Sequence, residues 1–374
     1  DIDRCLCAGD ASVKWMITGV IDRVDARPVG WPDIGQTHQR LREVSYGGQG
    51  VGYQAPDLNR LADHILKPGV IDIAYQHQTN ATATGGSLNA VTSGSISGSR
   101  YGFKGKEDLG GGLYSLFTLE AGFNPADGSR GQGGLAFGRQ AFVGLGGDFG
   151  QLTVGRQYTP LFEHYGNFDP LWGISNVNES GFYLNYGTFR QNNAVRYAKN
   201  IAGVNFAAMH GFGNVSGSTS AGQLNGLQAN YTAGPLLVGA AYQKFDVNAS
   251  ASTNLGSTSN AMIGANYGFG PARVFFNYMD TKLSTGAKSD IATLGVNYEV
   301  TPLVGLVGAY YNDKTKSTTN VNGSRNTLAL GLTYTLSKRT MVYAEYVDSD
   351  MPFYVGQFNE RGGKYATVGM RHDF

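Results

Sequence analysis

Nowhere in its 374 residues does the chain hold a run of about 18 apolar residues, the length a helix needs to cross a bilayer. A helical membrane protein is therefore excluded. Charge is scarce as well: 15% of residues are charged and the formal net charge is +1, so nothing points to nucleic acid as a partner. Cysteine is limited to Cys5 and Cys7, a pair too close for good disulfide geometry and at best half a metal site. The six histidines (His38, His64, His77, His164, His210 and His372) are scattered, and no serine motif accompanies them. An enzyme would need a nucleophile with a positioned base, so catalysis, a cofactor and a metal are all unexpected.

What the chain has instead is 55 Gly, 22 Tyr and 19 Phe, at a mean hydropathy of −0.23. The apolar residues are spread along short alternating segments and are not gathered at helical spacing. After Ala366 every second residue (Val368, Met370, His372, Phe374) leans apolar or aromatic, so this last strand is expected to close against another. The same alternation marks segments 69–78, 97–106, 113–123, 136–145, 150–158, 190–198, 203–212, 224–232, 235–245, 260–267, 272–280, 290–299, 304–312, 324–334, 340–347 and 364–374. Their connections alternate between short ones, such as Gly146-Gly-Asp-Phe149 and Ala233-Gly234, and long ones, of which 159–189 is the longest. Short turns at one end, long loops at the other and an even strand count are the pattern of an outer-membrane barrel. The expected fold is all-β, an antiparallel transmembrane β-barrel of about 16 strands that leaves an aqueous channel.

Residues 1–67 do not share this pattern. They hold two of the three tryptophans and both cysteines, and 57–66 reads as a short amphipathic helix. A basic start, an apolar stretch and a cleavage site are all missing, so the segment is not read as a signal peptide. It is expected to be irregular and outside the wall, as sequence never selected to fold with the barrel, for example an upstream or frame-shifted translation joined near Lys67-Pro68. The rival is a small periplasmic plug or anchor.

Several stretches carry a family likeness. Ser97-Gly-Ser-Arg-Tyr-Gly-Phe-Lys-Gly-Lys-Glu-Asp-Leu-Gly-Gly-Gly-Leu113, Phe117-Thr-Leu-Glu-Ala-Gly-Phe123, Phe137-Gly-Arg-Gln-Ala-Phe-Val-Gly-Leu145, Val154-Gly-Arg-Gln157, Phe168-Asp-Pro170, Arg190-Gln-Asn-Asn193, Leu336-Ser-Lys-Arg339 and the terminal Phe374 follow one another along the chain. Together, over about residues 69–374, they resemble the general porins of Gram-negative bacteria. The chain departs from that family at its start, where Ile65-Leu-Lys-Pro68 precedes Gly69. The resemblance implies an outer-membrane channel for passive diffusion of ions and small hydrophilic solutes. It further implies a homotrimer among outer-membrane lipid and lipopolysaccharide, with Phe374 as an assembly signal for the barrel-assembly machinery. The 159–189 loop would fold into the barrel and narrow it.

Alternation assigns most faces of the wall. With Tyr101 and Phe103 toward lipid, Arg100 and Lys104 point into the lumen, and with Val195 and Tyr197 outward, Arg190, Asn192 and Arg196 point in. Glu120 and Asp72 fall inside by the same parity. Segment 136–145 is ambiguous, because Arg139 shares parity with Val143 and Leu145; taking Phe142 as the lipid anchor puts Arg139 in the lumen, as the resemblance also implies. On the same resemblance Arg100, Arg139 and Arg190 form a basic cluster, which the loop opposes with Asp169 and with Glu163 or Glu179. Such a transverse field would orient polar solutes and sort ions by charge.

Arg156 shares the parity of Leu152 and Val154, and an outward charge costs about 2–4 kcal/mol at the bilayer midplane but about 0–1 near the interface. It is expected near the rim, in a subunit interface with Asp127 of a neighbouring copy. From residue 68 onward 21 basic residues stand against 19 acidic ones, so the constriction decides selectivity, and its arginines should favour anions weakly. A solute-specific channel is the rival, with Tyr165, Phe168 and Trp172 as an aromatic track. For each lumen charge the plain alternative is a solvated wall residue.

Overall fold

The computed structural model describes residues 66–82, 85–171, 189–246, 256–316, 322–350 and 362–374. Among them lie β1 (Leu66–Gln78), β2 (Leu88–Ser93), β3 (Arg100–Gly110), β4 (Leu113–Gly122), β5 (Gln140–Gly147), β6 (Gly150–Tyr158), β7 (Arg190–Ile201), β8 (Val204–Gly211) and β9 (Leu224–Ala233). They continue with β10 (Leu236–Asp246), β11 (Ser257–Phe269), β12 (Ala272–Leu283), β13 (Lys288–Thr301), β14 (Val304–Lys316), β15 (Asn322–Ser337), β16 (Thr340–Ser349) and β17 (Gly363–Asp373), and one α-helix, α1 (Pro160–Phe168), separates β6 from β7. Each segment that alternates in the sequence is a strand. The first begins at Leu66, and residues 1–65, including Cys5 and Cys7, lie outside the described residues.

The strands pair antiparallel with their neighbours, and β17 returns to β1, from Val70 opposite Asp373 to Gln78 opposite Tyr365. Gly69 and Phe374 exchange backbone hydrogen bonds of 2.8 and 3.0 Å, so the seam is closed to the last residue. The circumference has 16 strand positions because β2 and β3 share one. β1 pairs with β2 over Ile73–Gln78 and with β3 over Leu66–Val70. Here the sequence reading is corrected: the connection taken as a plain loop over 79–96 contains a wall strand, and the departure from the wall falls later, at 94–99.

Alternation sorts the two faces. Along β11 and β12, Ile263, Tyr267, Val274 and Phe276 are exposed on the outer surface, while Met262, Asn266, Asn277 and Met279 are buried on the inner one. An aqueous lumen gives Met262, Met279, Ile291 and Val307 no reason to point inward, yet they do. They are covered by Leu161, Tyr165, Phe168 and Leu171 of α1 and the residues after it, which form one apolar cluster with them. At roughly 1.5–3 kcal/mol per buried apolar side chain, this seat outweighs any single hydrogen bond, worth about 1 kcal/mol net. The helix therefore packs on the inner face of the wall, against β8 to β12.

Its start is encoded locally. Thr159 caps it, its hydroxyl accepting from the Phe162 N–H at 3.3 Å, Pro160 opens the first turn and Glu163 follows, as a helix N-terminus favours. Two wall glycines receive its end. A Cβ on Gly264 would lie 2.3 Å from Phe168, and one on Gly295 would lie 2.3 Å from Pro170.

Candidate pore constriction

The expected wall arginines meet in one place. Arg139 Nε donates to Glu120 at 2.9 Å and its Nη2 to the Tyr158 hydroxyl at 2.8 Å. Arg190 Nη2 donates to the same hydroxyl at 3.0 Å, and its guanidinium lies 4.6 Å from the centre of the Tyr158 ring. Arg100 Nε is 3.8 Å from the other Glu120 oxygen. One carboxylate and one phenol thus tie together three guanidinium groups.

Arg139 arrives there for a reason other than the one the alternation suggests. Val143 and Leu145 are 59% and 46% exposed, so they carry the outer face of β5, and Phe142 is not the lipid anchor. Arg139 precedes the strand: its N–H bonds the Glu120 carbonyl at 3.1 Å although Gln140 is the residue paired with Glu120. Two residues opposite one make a bulge, which breaks the parity and frees the side chain to turn inward.

Asp72 is corrected too. It is fully buried, and Oδ2 accepts from the N–H groups of Ile96 and Ser97 at 3.2 and 2.8 Å while Oδ1 accepts from the Tyr343 hydroxyl at 2.6 Å. It holds the inward bulge at 94–99 in place and does not line the water path. That bulge in turn presents the Ser97 hydroxyl and the Gly98 carbonyl to Arg100 Nη1, both at 2.9 Å. Asp72 therefore positions Arg100 through the backbone.

The loop carboxylates do not face this cluster as expected. Asp169 is buried on the opposite wall, where it accepts from the Tyr165 hydroxyl, from the Tyr311 hydroxyl at 2.9 Å and from the Leu171 N–H at 2.7 Å. Burial pushes its carboxyl up to about 7. Glu163 is engaged by Arg196 at 2.6 Å and by Gln228 at 3.0 Å; burial raises its pKa against the pull of Arg196. Glu179 and Trp172 lie outside the described residues. Lys104 is exposed on β3, further from the cluster toward the short-turn end.

Sequence reasoning missed several residues of this region. His164 Nδ1 meets Asn230 Oδ1 at 2.6 Å, and burial pushes its imidazole down to about 4. Asn266 and Asn277 donate to the carbonyls of Asn167 and Phe168 at 2.7 and 3.0 Å. The Thr159-Pro160 pair with a following acid was a legible helix start, whereas Tyr158 and Tyr311 carry no local signal. Tyr165 and Phe168 are buried in the docking contact, which removes them from any aromatic track along the water path.

At the rim, Arg156 Nε donates to the Gly138 carbonyl at 2.7 Å and Nη1 to Asn192 at 2.6 Å. Asp127 is exposed and accepts from the N–H and hydroxyl of Ser129. Within one chain the two are not brought together.

A family model described as Gram-negative porin matches residues 68–351. An outer membrane porin protein of Bordetella pertussis is 28% identical over 350 residues, covering 81% of this chain and 87% of that one. Outer membrane porin protein 32 of Delftia acidovorans is 30% identical over 297 residues, covering 74% and 80%. Among solved structures, an anion-selective porin from Comamonas acidovorans superposes with a TM-score of 0.70 at 26% identity, over 82% of this chain and 98% of that one.

Proposed function

The chain belongs to the Gram-negative porin family, and from that premise we propose that its channel passes anions in weak preference to cations, because Arg100, Arg139 and Arg190 crowd one side of the constriction. It is an outer-membrane porin, a water-filled barrel through which ions and small hydrophilic solutes diffuse passively. The observation that carries the preference is the imbalance at the cluster among the described residues, where three guanidinium groups stand beside one carboxylate: Arg100 and Arg139 share Glu120, and Arg190 joins them through the Tyr158 hydroxyl. Among the described residues of the loop no carboxylate restores the balance, since Asp169 is turned into the far wall and Glu163 is spent on Arg196. In a narrow passage such nearby charges outweigh distant ones. The structural relative from Comamonas acidovorans is an anion-selective porin, which supports the same direction.

The porin works as a homotrimer in contact with lipopolysaccharide. Arg156 and the Asp127 loop lie at the subunit boundary. The test of selectivity is the zero-current potential of the wild-type channel in a low-salt KCl gradient. A potential of the sign set by chloride is expected; one set by potassium would overturn the proposal.

A further inference from the structure

The outer face of β10 to β14 carries a line of lysines that the channel itself does not use. Register places Lys244 opposite Ser259, Ser259 opposite Lys282, Lys282 opposite Lys288, and Lys288 opposite Lys316, in one row across five adjacent strands. The next row toward the middle of the wall runs Asp280, Asp290, Lys314. All four lysines of the first row, and Lys314, are exposed. Their parity is that of Phe276, Leu294 and Tyr310, which form a row on the lipid-facing band. The lysine row lies six residues beyond that band, about 20 Å along the strands and, at a tilt near 40°, about 15 Å higher. That is the level of a headgroup.

Neighbouring strands are about 4.8 Å apart, so Lys282, Lys288 and Lys316 stand shoulder to shoulder. Like charges directly opposite each other are destabilising, and here the pairing occurs twice in succession. Asp280 relieves only part of it, through a contact of 2.7 Å with Lys282. Connections 247–255, 284–287 and 317–321, which leave the same end, contain no acidic residue. With Asp246, two residues beyond Lys244 on the same face, five lysines stand against three aspartates and leave a net positive strip directly above an apolar band, its centre at Lys282, Lys288 and Lys316.

We infer that this strip binds the phosphates of a phosphorylated glycolipid of the outer leaflet, lipopolysaccharide, whose acyl chains lie along Phe276, Leu294 and Tyr310. The inference rests on the reading of the chain as an outer-membrane porin and gives the lipid a defined place on its circumference. An amphiphile is favoured over a free anion because the same strands supply both the apolar band and the charge above it. Lipid phosphates bridging adjacent lysines would convert the repulsion into attraction.

The test is binding of lipid A with both phosphates to the purified porin, compared with lipid A lacking one phosphate and with phosphatidylglycerol. For Lys282→Gln, Lys288→Gln and Lys316→Gln combined, a loss of roughly 10- to 100-fold is expected for the doubly phosphorylated lipid. Lys199→Gln with Lys338→Gln, at the short-turn end, should bind as the wild type does. Removing one phosphate from the lipid should weaken the wild type and leave the triple variant little changed. Unchanged binding by the triple variant, equal loss in the short-turn control, or equal affinity for phosphatidylglycerol would overturn the inference. Single-channel conductance of the wild type and the triple variant is recorded alongside. A wild type that conducts while the lipid arms fail refutes the strip alone; a wild type that does not conduct refutes the porin reading beneath it.

Discussion

On the β3 to β7 side of the lumen three arginines gather around one carboxylate and one phenol, whereas on the β8 to β14 side the wall answers α1 with amides, a tyrosine hydroxyl, glycine recesses and an apolar seat. The same inward parity supplies both surfaces. What separates them is burial: the arginines keep an edge toward water, while Asp169, the acid expected to oppose them, is enclosed and satisfied by hydroxyl groups. A buried acid bonded in this way fixes the loop more than it shapes the field. Among the described residues the constriction is therefore lopsided, with mobile ions meeting charge chiefly on one side.

The largest expected break in that comparison comes from Asp169→Ala. It would remove the acceptor that the Tyr165 and Tyr311 hydroxyls and the Leu171 N–H use, at roughly 0.5–1.5 kcal/mol net for each hydrogen bond lost. The loop should undock, seen as a larger and noisier single-channel conductance and as new protease cleavage near 160–171. Asp169→Asn, which keeps most of the hydrogen bonding, should leave ion preference nearly unchanged. If it shifted preference strongly toward anions, the docked wall would not be electrically quiet.

A smaller effect is expected from Glu120→Gln. It removes the carboxylate that Arg100 and Arg139 share, so anion preference should rise about two- to fivefold at low salt and fade as the ionic strength approaches 1 M. No change would place the cluster away from the ion path.

Smallest is the response to pH, because two buried groups of the loop pull in opposite directions. His164 is held near 4 in the docked state against an ordinary value near 6.5, so acid favours undocking as pH falls through that window. Asp169, raised to about 7, takes up a proton on docking, so docking weakens as pH rises from the ordinary carboxylate range through 7; Glu163 adds in the same sense. Between about pH 4 and 6.5 the slopes oppose each other, and the wild-type conductance should vary little. His164→Gln should unmask the acid term, with docking strengthened on acidification. A steep wild-type response in this window would mean that one of the two groups is not enclosed.

How much of this was legible follows from where each signal lies. Strand faces and turns are local, so the wall could be read from alternation and from residues such as Tyr101, Phe103 and Ala233-Gly234. β2 was missed because Leu88–Ser93 is short and follows a polar, threonine-rich stretch with no alternation of its own. Arg139 was assigned to the lumen through Phe142, which the structure turns the other way; a one-residue bulge leaves no trace in parity. Asp169 could not be placed from sequence at all, since its partner Tyr311 is 142 residues away and only the closed barrel brings them together. Gly264 and Gly295 looked like ordinary strand glycines until Phe168 and Pro170 filled the space above them.

The central claim, that selectivity is set by the arginine wall, is tested most directly by the zero-current potential of a channel carrying Arg100→Gln, Arg139→Gln and Arg190→Gln together. In a low-salt KCl gradient the potential should move from the chloride side toward the potassium side, and the shift should shrink at high salt as screening takes over. A triple variant that conducts and keeps the wild-type potential at low salt would contradict the account.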